Sequence, residues 1–281
     1  MEGMKNMKGK PMGLIFVSFI SFTSLMPAQQ APEYTTAFYQ SGKLRLEAYV
    51  YRPAGPGPFP VVIYSHGSRK GYEREERPMA FVGAMLAGQG YLALVPERRG
   101  YGKSDGPTFN EEVGTDLGNR MMARFDGEAD DVVAAAQYVA TMDGADATRL
   151  ALIGYSQGGI VSVRAAGELS GVRALVDQAG GSLTWPRSSE LRRRLTDWGS
   201  ALKMPLVCMD AANDATTDAV KAVCDAASRA GAEARVTIYA AFTPASNPEN
   251  IAPGHLIFSS QGVAVWRQDV LAFLSANTRP R

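Results

Sequence analysis

Cysteine and histidine are scarce in this sequence: of 281 residues, two are Cys, at 208 and 224, and two are His, at 66 and 255. Two cysteines exclude a disulfide framework and a four-cysteine zinc site. Net charge of one sign is missing too. Lys and Arg total 29 against 28 Asp and Glu, a formal net charge of +1, so the electrostatic footprint of a nucleic-acid binder is absent. The expected partner is a small molecule. No apolar run reaches the roughly 20 residues that a spanning helix needs. The longest candidate, Met12 to Met26, follows Lys5, Lys8 and Lys10 and is bounded by Pro11 and Pro27. A basic start and a short apolar stretch predict a secretory signal over residues 1–28, with a retained membrane anchor as the alternative; cleavage of the signal implies a secreted or periplasmic protein that keeps no stable membrane insertion. Roughly 250 residues remain, enough for one α/β domain over residues 29–281.

A phosphate-binding loop is also lacking. Gly102-Lys103-Ser104 has Glu97 where such a loop requires glycine. Gly100 and Gly102 have Asp105 where dinucleotide spacing requires a third glycine. His66 has no second ligand at metal spacing nearby. Neither an organic cofactor nor a metal is expected. The two cysteines leave two readings open: Cys208, on a predicted strand, pairs with Cys224 on the helix after it, or both are buried thiols.

What is present is a rhythm. After the alternating stretch Lys43 to Arg52, short apolar runs recur at Val61–Tyr64, Tyr91–Val95, Leu150–Ile153, Ala174–Val176, Leu206–Met209 and Val236–Tyr239. Such runs suit strands buried on both faces of a parallel sheet. Amphipathic stretches separate them: Pro78–Ala87, Glu128–Thr141, Gly158–Leu169, Ser188–Ala201, Thr217–Ala230 and Gln261–Ala276. Repeated strand and helix predict a single doubly wound α/β domain, with a mostly parallel sheet flanked by helices. The segment Ser182–Lys203, with Trp185, Trp198 and an arginine cluster, is expected either to form a small lid above the strand ends or to be a plain crossover helix with a solvated Arg face. Tyr101, Trp185 and Trp198 are the candidates for a substrate pocket.

Directly after the Leu150 strand comes Gly154-Tyr155-Ser156-Gln157-Gly158-Gly159, and directly after that a helical stretch. With 29 glycines in the chain, a bare GxSxG carries little weight. Between a buried strand and a helix it reads as a nucleophile elbow, where small residues flank the serine because the backbone turns sharply. Ser156 is therefore the expected nucleophile. A serine hydroxyl needs a base within hydrogen-bond reach, and His255 is the histidine that follows Ser156 in the chain. The acid that orients it is expected after the Leu206 strand, where Asp210 and Asp214 both stand. Asp214 is favoured because a turn residue can reach outward, and Asp218 is a distant third. Backbone N–H groups of Ser68 and Gln157 are the expected oxyanion donors, with His66 bracing their loop.

Taken together, His66-Gly67, Arg99-Gly100-Tyr101-Gly102-Lys103-Ser104-Asp105-Gly106, the Gly154–Gly159 elbow, Asn213-Asp214 and Gly254-His255 resemble the α/β-hydrolases, in particular dienelactone-hydrolase-like and prolyl-oligopeptidase-like esterases. The resemblance runs over about residues 44–276. It implies the α/β-hydrolase fold, places the acid at Asp214, and implies cleavage of small to medium carboxylic esters through an acyl-enzyme. The alternatives are a peptidase or amidase with the same triad and a catalytically silent binding protein of that fold. Two departures stand out: dienelactone hydrolases proper use a cysteine where this chain has Ser156, and the large N-terminal propeller of prolyl oligopeptidases is absent.

Overall fold

The computed structural model describes residues 34–279; the expected signal segment lies outside them. Eight strands form one sheet: β1 (Thr35–Ser41), β2 (Leu44–Tyr51), β3 (Phe59–Ser65), β4 (Leu92–Pro96), β5 (Ala145–Tyr155), β6 (Val172–Gln178), β7 (Leu206–Ala211) and β8 (Ala234–Tyr239). Their order is β1-β2-β4-β3-β5-β6-β7-β8. β2 pairs antiparallel with β1 and β4, and all later pairings are parallel. The helices are α1 (Ala80–Ala87), α2 (Phe109–Val113), α3 (Asn119–Val139), α4 (Gln157–Glu168), α5 (Ser189–Ala201), α6 (Asp218–Arg229) and α7 (Val263–Thr278). This is the α/β-hydrolase fold.

Side chains alternate along a strand with period two, and here both faces are covered. Val61 and Ile63 of β3, Leu152 of β5, and Leu206 and Cys208 of β7 join one core beneath α3, α4, α5 and α6. Their neighbours Val62, Tyr64, Ala151, Ile153, Val207 and Met209 join a second core with α1 and α7. A fully buried Val, Ile or Leu contributes about 1.5–3 kcal/mol relative to exposure, and a one-residue slip would swap the faces of a whole strand. Burial therefore sets the register, and the register sets the site. Ser65 at the end of β3 lies opposite Gly154 near the end of β5, so the loops that follow these parallel strands emerge side by side at one edge of the sheet.

Three features depart from the sequence pattern. β1 carries no alternating apolar signal, because only Tyr39 and Ser41 of its seven residues are buried; it exists as the partner of β2 and is tied to α3 by Ser41 Oγ donating to Asp131 Oδ1 at 2.7 Å. α3 begins at Asn119 rather than Glu128, and the extra turns bury Met121, Arg124 and Phe125. A buried arginine interrupts apolar periodicity, which hid these turns. The Ser182–Lys203 segment divides in two. Leu183, Thr184 and Arg187 line the cavity described below, whereas α5 is a crossover helix whose Leu191 and Leu195 are buried in the first core.

Cys208 and Cys224 are joined as a disulfide between β7 and α6, with Cα atoms 6.2 Å apart. Of the two readings open in the sequence, pairing is the one realised.

Candidate active site

The turn between β5 and α4 is tight because backbone meets backbone. A Cβ on Gly158 would lie 1.9 Å from the Ser65 carbonyl oxygen, and one on Gly154 would lie 2.2 Å from that of Gly158. Only glycine fits at either place. Ser156 between them has φ 56° and ψ −118°, a conformation that costs an L-residue about 1–3 kcal/mol. It is held by the Ser156 amide, which donates to Gln178 O at 2.8 Å. The strained turn lifts the side chain off the sheet edge into a cavity of about 480 Å³.

Asp214 and His255 reach the same cavity from distant parts of the chain. Asp214 follows β7, and its Oδ1 accepts from the Ala215 amide at 2.6 Å. His255 sits in a 3-10 turn, Pro253–Phe258, that leads into α7. The two loops are joined twice. Asn213 exchanges hydrogen bonds with the Phe242 backbone, donating through Nδ2 at 2.9 Å and accepting through Oδ1 at 2.8 Å. The Gly254 amide donates to Asn213 O at 3.3 Å. Tyr155 adds a brace by donating its hydroxyl to His255 O at 3.1 Å. The outcome is a continuous chain of contacts: His255 Nδ1 lies 2.7 Å from Asp214 Oδ2, and His255 Nε2 lies 2.8 Å from Ser156 Oγ. The imidazole is 2% exposed and the Asp214 side chain fully buried, so the pair works at low local dielectric.

Asp210 does not touch His255; it lies beside Asp214. It is buried at the end of β7, where its Oδ1 accepts from the Ala211 amide at 2.8 Å and its Oδ2 lies 2.6 Å from Ser182 Oγ. Burial, followed by the negative charge of Asp214, pushes its carboxyl up to about 9. Both causes favour its neutral form. Asp218 opens α6.

Ser68 and Gln157 both line the cavity beside Ser156. Among the described residues neither amide has a protein acceptor, so both N–H groups are free to face a ligand. Gly67 lies against the elbow, where an added Cβ would be 3.2 Å from the Ser156 Cβ. His66 braces this loop from behind. Its Nδ1 lies 2.7 Å from Gly67 O and therefore carries the proton. Burial, then the charges of Arg98 and Arg69, holds His66 well below the usual histidine range and keeps it neutral.

The three aromatic pocket candidates are placed elsewhere. Tyr101 is fully buried, edge-on to His66 with ring centroids 4.7 Å apart. It supports the His66 loop instead of touching the cavity. Trp185 and Trp198 pack against the core beneath α5 and do not line the cavity. The apolar lining comes instead from Phe109, Leu117, Met121, Phe125, Ile160 and Leu183. Residues 109–125 lie in the part of the chain that carried no helix signal, so the pattern of the sequence could not reveal them.

Two charged residues behind the elbow were also hidden. Arg98 and Glu128 are fully buried, and Glu128 accepts from the Gln157 side chain. Arg98 and Gln157 meet Glu128 from about 30 residues away in the chain, and no local signal marks those contacts.

The chain resembles known proteins over much of its length. It is 18% identical to a dienelactone hydrolase from Anabaena variabilis, a structure matched over 89% of this chain and 100% of that one with a TM-score of 0.62. An esterase from Pyrococcus furiosus is 17% identical, with 88% and 94% of the two chains covered and a TM-score of 0.61. These likenesses show a common fold. The quorum-quenching protein AidA of Acinetobacter baumannii is 29% identical over 136 residues, which amount to 48% of this chain and only 40% of that protein. The sequence profile of the dienelactone hydrolase family matches residues 46–255, a stretch that contains the Gly154–Gly159 elbow, Asp214 and His255. The chain belongs to the dienelactone hydrolase family.

Proposed function

We propose that this hydrolase is a serine esterase that cleaves small to medium carboxylic esters, with Ser156, His255 and Asp214 as its triad. The observation that carries the reading is the pair of contacts on one buried imidazole, 2.8 Å to Ser156 Oγ and 2.7 Å to Asp214 Oδ2. In the reaction, Ser156 Oγ attacks the ester carbonyl carbon while its proton passes to His255 Nε2. The carbonyl oxygen becomes an oxyanion that accepts from the Ser68 and Gln157 amides. His255 then returns the proton to the departing alcohol oxygen as the C–O bond breaks, leaving an acyl-Ser156. Water repeats the sequence: its proton goes to His255, its oxygen to the acyl carbon, and Ser156 leaves as the free hydroxyl. Asp214 keeps the Nδ1–H tautomer and counters the imidazolium charge. The apolar lining of the cavity, Phe109 to Leu183, supports an acyl group of modest length as its occupant.

The expected experiment is a panel of nitrophenyl esters of increasing acyl length on wild type and Ser156→Ala, together with labelling by a fluorophosphonate. Turnover and labelling are expected in wild type and neither in Ser156→Ala. Hydrolysis that survives in Ser156→Ala, or a folded wild type that neither turns over nor labels, would refute the reading.

We also infer that the protein works outside the cytoplasm. The expected signal over residues 1–28 and the Cys208–Cys224 disulfide support this, since disulfides persist in oxidising compartments. Recovery of the protein, when expressed in a Gram-negative host, solely from the cytosol with its first 28 residues intact would contradict it.

A further inference from the structure

Behind the oxyanion donors lies a buried ionic cluster that the proposed chemistry does not use. Glu128, on α3, is fully buried and does not line the cavity. Its Oε2 accepts from Arg98 Nε at 2.7 Å, and its Oε1 from Arg124 Nε at 2.6 Å. The Gln157 side-chain amide nitrogen lies 2.8 Å from both oxygens. Arg98, also fully buried, donates its Nη2 to His66 O at 2.9 Å. One carboxylate therefore reaches both halves of the oxyanion hole. It holds Gln157 directly, the residue whose amide is one donor. Through a single guanidinium it holds His66, two residues before Ser68, whose amide is the other.

We propose that Glu128 is a positioning residue for catalysis, which sets the distance and angle between the Ser68 and Gln157 amides by tying Gln157 and the His66 loop to one buried anchor. This inference rests on the serine-esterase reading. The two donors belong to loops that follow different strands, β3 and β5. Ladder hydrogen bonds align the strands but stop at Ser65 and Gly154. Beyond them, the Glu128 cluster is a direct polar link between the loops on the α3 side. Glu112, paired with the far side of Arg124 at 2.6 Å, balances the second guanidinium, so the cluster acts as a neutral, charge-paired anchor. Burial alone would raise the carboxyl of Glu128, but the charges of Arg98 and Arg124 and their hydrogen bonds hold it below the usual range and ionised.

The test compares wild type, Gln157→Met, Glu128→Gln and the double variant. Gln157→Met keeps the backbone donor and removes only the anchored side chain. Kinetics on a butyrate nitrophenyl ester are read alongside inhibition by a trifluoromethyl ketone, whose adduct with serine mimics the tetrahedral oxyanion. Removing an oxyanion donor outright costs about 100- to 1,000-fold in kcat. Loosening one is expected to cost about 10- to 100-fold, with KM within about threefold and ketone affinity falling in step with kcat. The double variant is expected to lose much less than the product of the single losses, because both break the same link. Asp131→Asn, which breaks the neighbouring Arg99 ion pair on the same helix, serves as a control for plain destabilisation: it is expected to lower the unfolding midpoint without lowering kcat. If Glu128→Gln does not fold, Gln157→Met carries the test, since it alters only one side of the link. Lowered stability with unchanged kcat and ketone affinity in Gln157→Met would overturn the proposal, as would fully multiplicative losses in the double variant. Failure of the underlying reading would look different, because wild type itself would then neither hydrolyse the ester nor bind the ketone.

Discussion

Exchanging Asp214 and Asp210 for asparagine, one at a time, asks the sharpest question of this site, since the two carboxyls stand four residues apart and only one touches His255. Asp214 accepts from Nδ1 at 2.7 Å with its side chain fully buried. Asn in its place removes the charge that balances the imidazolium and can present an NH2 group to Nδ1, which favours the wrong tautomer. In this type of triad the change lowers kcat by about 10⁴-fold, or about 5.4 kcal/mol at about 1.36 kcal/mol per factor of ten. Asp210 differs in its protonation. With its carboxyl pushed up to about 9 by burial and by Asp214, it favours the protonated form at pH 7. Asn has nearly the shape of the neutral acid: its oxygen can accept from the Ala211 amide, and its NH2 can donate to Ser182 Oγ. The expected change in kcat is under about threefold, within the size of one perturbed neutral hydrogen bond. Stability is expected to move the other way. The native state binds the Asp210 proton more tightly than the unfolded chain, whose value is 3.8. That native advantage is complete below pH 3.8 and is lost as pH rises towards about 9. Asp210→Asn escapes the loss, so its gain over wild type should be larger at pH 8 than at pH 5. The assays are kcat on a short-chain nitrophenyl ester at pH 7 and urea unfolding at the two pH values. A loss of about 10³-fold or more in Asp210→Asn, with Asp214→Asn near wild type, would refute the acid assignment. Equal stability differences at pH 5 and pH 8 would refute the protonation argument.

Three further outcomes are expected. Cys208→Ser with Cys224→Ser opens a loop with a sequence separation of 16 and should cost about 3 kcal/mol of unfolding free energy in non-reducing buffer by the chain-entropy estimate; because Asp210 and Asp214 lie inside that loop, kcat is the second readout, and unchanged stability would show that the bridge does not form in solution. Gly158→Ala places a methyl group 1.9 Å from the Ser65 carbonyl, and since backbone cannot yield as a side chain can, loss of soluble folded protein is expected; a stable, active variant would contradict the geometry of the elbow. Ser156→Gly removes the nucleophile and also the strain of φ 56°, so an inactive protein about 1 kcal/mol or more above wild type in stability is expected, whereas Ser156→Ala should be inactive without that gain; equal unfolding midpoints for the two would deny the strain.

Much of this molecule was legible in one dimension because its signals are local. Runs such as Val61–Tyr64 and Leu150–Ile153 mark strands covered on both faces, and such strands alternate with helices only in a restricted set of folds. The glycines around Ser156 record a turn that no larger residue can make. With two histidines in the chain, chain order alone selected His255 as the partner to look for. The sequence favoured Asp214 over Asp210 without fixing the contact. That was decided by Asn213 and Phe242, which tie the acid loop to the His255 loop across 29 residues of chain, and by a buried strand end that favours the neutral form of Asp210. Nor could it show that Tyr101 turns inward, that Trp185 and Trp198 pack against the first core, or that residues 109–125 supply part of the apolar wall. β1 and the first turns of α3 stayed hidden for a related reason: one is an edge strand stabilised by its neighbour, and the other contains a buried arginine that needs Glu112, Pro107 O and Arg99 O as well as Glu128 to be satisfied. The sequence by itself determined most of the elements and their order, because propensity, periodicity and steric turns act over a few residues. The tertiary structure alone decided which carboxylate meets the imidazole and which charges stand behind Ser68 and Gln157, because hydrogen bonds and burial join residues that the chain keeps far apart.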